Sequence, residues 1–313
     1  MDVQTVESAC PVCQETNGEH VYTRRQYRTG DLTHFGLRRC SACKHVYLSP
    51  RPTDGTLGSY YGEGYYTVAN ANAQTARVTE HALRYSRYVG RLVGNTPGTL
   101  LDVGCGDGEF LALMASKGWK CHGVERDERT GSLVRSKPGI LSVRESLQDF
   151  DNEKFDCITM FEVVEHLTDP LSDLQTCRRL LSPDGRLLVK TPNFNSLERV
   201  SLGPNWISLE IPRHLQFFTE RTLGKCLRSA GLEPTMIFQP WNEEAFTRSI
   251  WLMLTNAGKL AASSTAAFTP SSWRRQANRY VSALLSPLCY AASLLRVGHT
   301  IMMVAVRNDL GEA

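Results

Sequence analysis

The string LDVGCGDGEF at 101–110 constrains this chain more than any other, because three glycines, Gly104, Gly106 and Gly108, follow an apolar strand and open into the helical stretch FLALMASKG. Glycine lets the backbone take left-handed angles and pass within contact distance of a ligand that any Cβ would strike. The spacing is G-x-G-x-G. It differs from the G-x-G-x-x-G by which dinucleotide enzymes seat a pyrophosphate on a helix N-terminus.

From Thr99 onward, short apolar runs alternate with helical segments, the pattern of βαβ units around a parallel sheet. Strands are expected at 99–103, 121–125, 140–143, 155–160, 186–191 and near 235–239, with a last buried strand at 299–308. Helices are expected at 108–117, 127–136, 170–181 and 219–230; Asp169-Pro170 and Thr219-Glu220 supply start signals for the last two. The chain then divides into a small cysteine module (1–52), an aromatic connector with a helix (53–97), a Rossmann-like α/β domain (98–240 and 298–313) and an insertion (241–297). The connector helix should bury Leu83, Val89, Leu92 and Val93, which recur at near-helical spacing.

Glu125 ends the strand after the glycine turn, where a carboxylate can accept hydrogen bonds from both hydroxyls of a ribose. With Glu145-Ser146-Leu147 after the next strand, the string resembles the class I S-adenosylmethionine-dependent methyltransferases, over roughly residues 80–240 and the last strand. That resemblance implies a seven-stranded sheet that binds S-adenosylmethionine. Asp102, Gly104, Gly106 and Gly108 would hold the methionine portion, Glu125 the ribose, and Ser146 and Leu147 the adenine. Met160 and Phe161 would line the cofactor, and Tyr60, Tyr61, Tyr65 and Tyr66 would either close over it or pack between domains.

FEVVEHLTDP at 161–170 places Glu162, Glu165 and His166 at the carboxyl edge of the sheet, where open α/β folds bind ligands. Methyl transfer from a sulfonium chiefly requires aligning the acceptor and removing its proton. His166 is the first choice of base and His214, in IPRHLQFF, the second, with Glu165 beside them. A second reading joins Glu162, Glu165, His166 and His214 around Mg²⁺ or another divalent ion; E-x-x-E-H with a later histidine resembles the ubiquinone-biosynthesis and small-RNA 2′-O-methyltransferases. A third leaves the glutamates to cap a loop and His214 to bond backbone.

Cys10-x-x-Cys13 and Cys40-x-x-Cys43 can present four thiolates to one structural Zn²⁺, in a module too small for a core of its own. The other six of the ten cysteines are scattered and expected as small buried hydrophobes. A four-cysteine module ahead of such a domain also resembles the deoxysugar C-methyltransferases. Their C-terminal part is unlike this one, so their substrate does not carry over.

A net charge of +3 lacks the basic stripe of a dedicated nucleic-acid binder, so an RNA-directed enzyme or a zinc-ribbon binding protein ranks below a small-molecule methyltransferase. O-methylation of a sugar, glycolipid or secondary metabolite is the leading expectation, and C-methylation of a nucleotide-linked deoxysugar the alternative. The opening MDVQTVESAC has no secretory pattern, which predicts a cytoplasmic protein. VSALLSPLCYAASLLRV at 281–297 is interrupted by Pro287 and too short to span a bilayer. For the insertion, three readings stand open: a buried or homodimer-forming helix pair, a segment resting on a membrane surface, or a substrate lid.

Overall fold

The structure, a computed structural model, describes residues 4–25, 34–61, 71–240, 243–256 and 272–309. It opens with β1 (Thr5–Val6), β2 (Gly18–Arg25), β3 (His34–Cys40), β4 (Val46–Leu48) and β5 (Arg51–Pro52) around the paired cysteines, followed by α1 (Asp54–Leu57) and α2 (Ala71–Leu92). The strand–helix alternation comes next: β6 (Thr99–Val103), α3 (Glu109–Ser116), β7 (Lys120–Val124), α4 (Glu128–Arg135), β8 (Ile140–Arg144), β9 (Phe155–Phe161), α5 (Pro170–Leu180) and β10 (Leu181–Pro192). The chain continues through α6 (Leu197–Leu202), β11 (Gln216–Phe217), α7 (Glu220–Ser229), β12 (Leu232–Phe238), α8 (Glu243–Asn256), α9 (Ser272–Leu294) and β13 (Thr300–Arg307).

Seven of these strands form one sheet in the order β12-β13-β10-β9-β6-β7-β8, with β13 antiparallel to both neighbours. Its inner strands are buried along almost their whole length, as helices on both faces require. The helix starts follow their caps: Asp169 accepts from the Ser172 N–H with Pro170 in the first turn, and Thr219 accepts from the Thr222 N–H. β10 begins earlier than expected, at Leu181, and shifts register before Arg186, where Pro183-Asp184-Gly185 interrupts the pairing. α2 packs on α3 and buries Val89 and Leu92 as its periodicity predicts, with Ala82 and Ser86 on the same side, while Leu83 faces outward.

Strand order reverses between β6 and β9, so the chain leaves these neighbours toward opposite sides and opens a crevice at their carboxyl ends. The cysteine module joins the α/β domain through β11, which lies beside the turn at 164–166 that follows β9. Its sheet runs β11-β4-β3-β2, so β4 pairs with a strand from far along the chain, Val46 opposite Phe217 and Tyr47 opposite Gln216. Buried His45 places Nε2 3.0 Å from the Gln216 side-chain oxygen and its ring 4.7 Å from that of Phe218. One strand from the α/β part of the chain, β11, thus completes the module's sheet.

Candidate active site

The glycine turn sits at the head of β6. All three glycines have left-handed φ, +71°, +53° and +73° for Gly104, Gly106 and Gly108. Their surroundings differ. A Cβ on Gly104 would lie 2.5 Å from a Val163 methyl, and one on Gly108 2.5 Å from a Val134 methyl, whereas one on Gly106 would meet nothing within 4 Å. Gly104 and Gly108 thus let the turn fit the protein, and Gly106 faces open space.

Glu125 fixes that space from the next strand. Its two oxygens accept from the N–H groups of Gly106 and Asp127, each at 3.0 Å, and burial raises its pKa against those bonds. Asp102 is buried and accepts from Thr159 Oγ1 at 2.6 Å. Burial pushes the Asp102 carboxyl up to about 7, opposed by the Thr159 bond and reinforced by the charges of Glu125 and Asp107. The carboxylates have no cation among these contacts, which suits a cationic ligand.

Beyond the turn, Ser146 caps a short 3₁₀ turn at 147–149 together with Asp149, and Leu147 is buried in the core. Met160 is fully buried within the same core. Phe161 lies against Tyr85 of α2, ring centroids 4.3 Å apart, with Phe110 at 5.8 Å. Tyr65 and Tyr66 lie outside the described residues. Tyr60 meets Phe35 of the cysteine module edge-on at 6.3 Å, and the Tyr61 hydroxyl lies 3.1 Å from His166 Nδ1.

The acidic and histidine cluster divides in two. Glu165, His166 and His214 bring their ligating atoms within 4.8 Å of one another, and the two imidazole centroids are 4.6 Å apart. Glu162 is not part of this group. Its left-handed φ of +58° at the end of β9 aims its carboxylate at Lys190 of β10, with which it pairs. Burial and the Arg84 charge push the Lys190 ammonium below its ordinary range, and the Glu162 carboxylate opposes them.

Within the trio, Glu165 is 1% exposed; one oxygen accepts from Thr191 Oγ1 at 2.9 Å, and Oε1 has no partner among the described residues. Burial, aided by the Glu210 charge and opposed by hydrogen bonds, pushes its carboxyl up to about 8. His166 Nδ1 lies 3.0 Å from the Arg213 carbonyl and His214 Nδ1 2.7 Å from the Ser208 carbonyl. Since a carbonyl only accepts, both Nδ1 atoms carry a proton, which in a neutral ring such as that of His166 leaves the lone pair on Nε2. Burial and then His214 hold His166 down at about 3, so its ring is neutral at physiological pH. Behind this pair, Ser208 Oγ lies 3.3 Å from His299 Nε2, and His299 in turn meets buried Glu198.

The four cysteines converge as well. Cys10 and Cys43 Sγ are 3.5 Å apart, as are Cys13 and Cys40, and all four fall within 4.8 Å. Each knuckle closes alike: the N–H of Gln14 donates to the Cys10 carbonyl and that of Lys44 to the Cys40 carbonyl, with φ of +61° and +66°. Burial opposes the Cys40 thiolate, but the N–H groups of Cys43 and Ala42 outweigh it and bring this thiol down to about 7. The other six cysteines are buried, as expected of small hydrophobes.

The reversal of strand order between β6 and β9, the glycine turn beside it and the buried carboxylates of Asp102 and Glu125 agree with the match of residues 77–236 to the family described as a methyltransferase domain. The chain belongs to that family. It is an S-adenosylmethionine-dependent methyltransferase. Among similar proteins is the ubiquinone biosynthesis O-methyltransferase of a Cereibacter sphaeroides strain, 32% identical over a 170-residue alignment, with 48% of this chain and 69% of that protein covered. Enzymes of the same name from Dinoroseobacter shibae and Histophilus somni are 32% and 36% identical, covering 46% and 38% of this chain and 65% and 56% of theirs. The methyltransferase is also similar to solved S-adenosylmethionine-dependent methyltransferases. One from Archaeoglobus fulgidus is 23% identical with a TM-score of 0.47, covering 74% of this chain and 94% of that one. Another from Thermotoga maritima, a possible histamine N-methyltransferase, is 16% identical with a TM-score of 0.49, covering 80% and 99%.

Several site residues escape the sequence reading. Lys190 leaves a trace, a lysine inside the buried run RLLVKT, but Thr159, Thr191 and Tyr85 read as ordinary strand and helix residues. Asp102 sets a pH dependence. With Asp102 facing the cofactor, as the sequence leads one to expect, the ammonium and sulfonium would favour the ionised carboxylate, so affinity should be full above the Asp102 pKa and be lost as pH falls through it. Calorimetry should find S-adenosylmethionine binding about tenfold weaker at about pH 6 than at about pH 7.5, and little change over that interval in Asp102→Asn.

Proposed function

We propose that this methyltransferase acts on a hydroxyl of a small molecule of the sugar, glycolipid or secondary-metabolite class, with Glu165, His166 and His214 holding a divalent cation such as Mg²⁺ beside the acceptor. The observation that carries this is the buried Glu165 Oε1, without a partner among the described residues, next to two imidazoles whose Nδ1–H groups are tied to backbone carbonyls. Ligating histidines are held in this way, Nδ1–H on a backbone carbonyl. When bound, the cation would supply the positive charge that lowers the pKa of the acceptor hydroxyl. The names of the similar O-methyltransferases support oxygen as the atom attacked.

The chain's own residues do the rest. Gly106 and Glu125 seat the cofactor, Asp102 faces its charge, and Thr191 and the Arg213 and Ser208 carbonyls keep the trio in register. An imidazole held as low as His166 is a weak base but a good ligand, which favours ligation over proton abstraction. The four cysteines would hold a structural Zn²⁺: four sulfurs leave no open position for chemistry.

His166→Ala and Glu165→Gln should each keep S-adenosylmethionine affinity within about threefold while turnover falls by about 10²–10⁴. Turnover is read with labelled cofactor and acceptor mixtures, the product being identified by mass spectrometry. Dialysis against EDTA should silence the parent enzyme and added Mg²⁺ or Mn²⁺ restore it. Undiminished turnover in His166→Ala, or an enzyme indifferent to EDTA, would remove the cation from the reaction.

A further inference from the structure

The helix α9 is built inside out. Its residues toward the protein are small or polar: Cys289 and Ala292 are buried, Ser293 is half-buried, and Ser282 Oγ lies 3.0 Å from Thr247 Oγ1 of α8. α8 is in turn anchored to the catalytic domain, where Ala245 and Leu252 pack with Ile207, and Ser249 accepts from the Ile207 N–H at 2.9 Å. The other side of α9 faces out through Tyr280, Ala283, Leu284, Pro287, Leu288 and Ala291, continuing into Leu294 and Leu295. These positions recur every three or four residues, so they share one face, and each is apolar or aromatic. Leu284 is 81% exposed, Leu295 75%, Leu294 68% and Tyr280 66%. An uncovered apolar face of this length marks a surface that meets something other than water.

Charge identifies the occupant. Between Glu244 and Asp309 the sequence has no acidic residue, yet it has Arg248, Lys259, Arg274, Arg275, Arg279, Arg296 and Arg307. Those seven cations exceed the +3 of the whole chain, so the remaining residues are together net acidic. A second copy docked about a two-fold axis would set this basic segment against itself, because such an interface uses the same patch twice. An anionic lipid surface complements both features, taking the apolar face into the headgroup boundary and the cations into its negative potential. No helix among the described residues is long and apolar enough to cross a membrane, which suits a helix lying in the plane of the surface.

We propose that α9 docks the methyltransferase flat on an anionic membrane surface through Tyr280, Leu284, Leu288, Leu294 and Leu295. The proposal does not lean on the identity of the acceptor.

Flotation of the full chain with vesicles of phosphatidylcholine alone, or of phosphatidylcholine mixed with phosphatidylglycerol, tests it. The parent should bind the anionic vesicles at least about tenfold more tightly than the neutral ones, and salt should weaken the binding. Leu284→Glu combined with Leu295→Glu should bind the anionic vesicles about a hundredfold more weakly, with S-adenosylmethionine affinity and helix content unchanged because both positions are exposed. Equal binding of parent and double variant overturns the proposal, and so does equal affinity for the two vesicle types. A parent that ignores vesicles but forms a dimer, which the double variant dissolves, assigns the face to a second copy instead.

Discussion

Gly106→Leu should abolish S-adenosylmethionine binding, raising the dissociation constant more than about a hundredfold, or about 2.7 kcal/mol, while leaving the protein folded. A Cβ at this position meets nothing within 4 Å, so the side chain enters space that the protein itself does not fill. The cost to the free protein is the left-handed φ of +53°, about 1–2 kcal/mol for a residue with a Cβ. A domain stable by about 5–15 kcal/mol absorbs that. The cofactor does not, because the isobutyl group occupies the approach to the Gly106 N–H and the Glu125 carboxylate that accepts from it. Gly108→Leu should behave in the opposite order. Its Cβ would stand 2.5 Å from a Val134 methyl in the core, so the loss appears first as a lower melting temperature and only then as weaker binding. Calorimetry on both variants beside thermal denaturation separates the two; a Gly106→Leu protein that binds the cofactor like its parent would reject the cofactor geometry altogether.

That contrast marks what sequence can and cannot carry. The strands and the glycine turn are legible because their signal is local: an apolar run, a turn that only glycine fits, a capped helix start such as Asp169-Pro170. Roles within the turn are not legible, since Val163 and Val134, which separate Gly104 and Gly108 from Gly106, come from other elements. The same holds for the acidic cluster. Glu162 and Glu165 look equivalent in FEVVEHL, and only a backbone reversal sends the first to Lys190 and the second under His166 and His214. The pairing of Val46 with Phe217 joins segments about 170 residues apart, and no periodicity in either segment announces a partner so distant. α9 shows the reverse case: its apolar composition is plain in the sequence, but which side faces water depends on α8 covering the side with the serines.

The cysteine module should prove necessary for turnover and dispensable for cofactor binding. With Cys13→Ser and Cys40→Ser combined, two of four sulfurs are lost, and with them the site expected to stand in for a core in this small module. The module's sheet then loosens from β11, because Val46 and Tyr47 bond there and the Leu48 N–H donates to the Leu215 carbonyl at 2.8 Å. Leu215 is the link to chemistry: its own N–H donates to the Glu165 carbonyl at 2.8 Å, and it follows His214 directly. Gln216, held by His45 of the module, donates to the Leu167 carbonyl at 2.9 Å on the far side of His166. Loss of the module therefore slackens Glu165, His166 and His214 together, and turnover should fall by about 100-fold, at the upper end of what removing the support behind ligating residues costs. Gly106 and Glu125 directly follow β6 and β7, whose hydrogen-bonded partners are each other, β9 and β8, not β4, so S-adenosylmethionine affinity should stay within about threefold. Added Mg²⁺ should not rescue this variant, unlike the EDTA-treated parent, and metal analysis should find its zinc missing. Parental turnover in the doubly substituted protein would show that the shared sheet carries no strain or order into the active site.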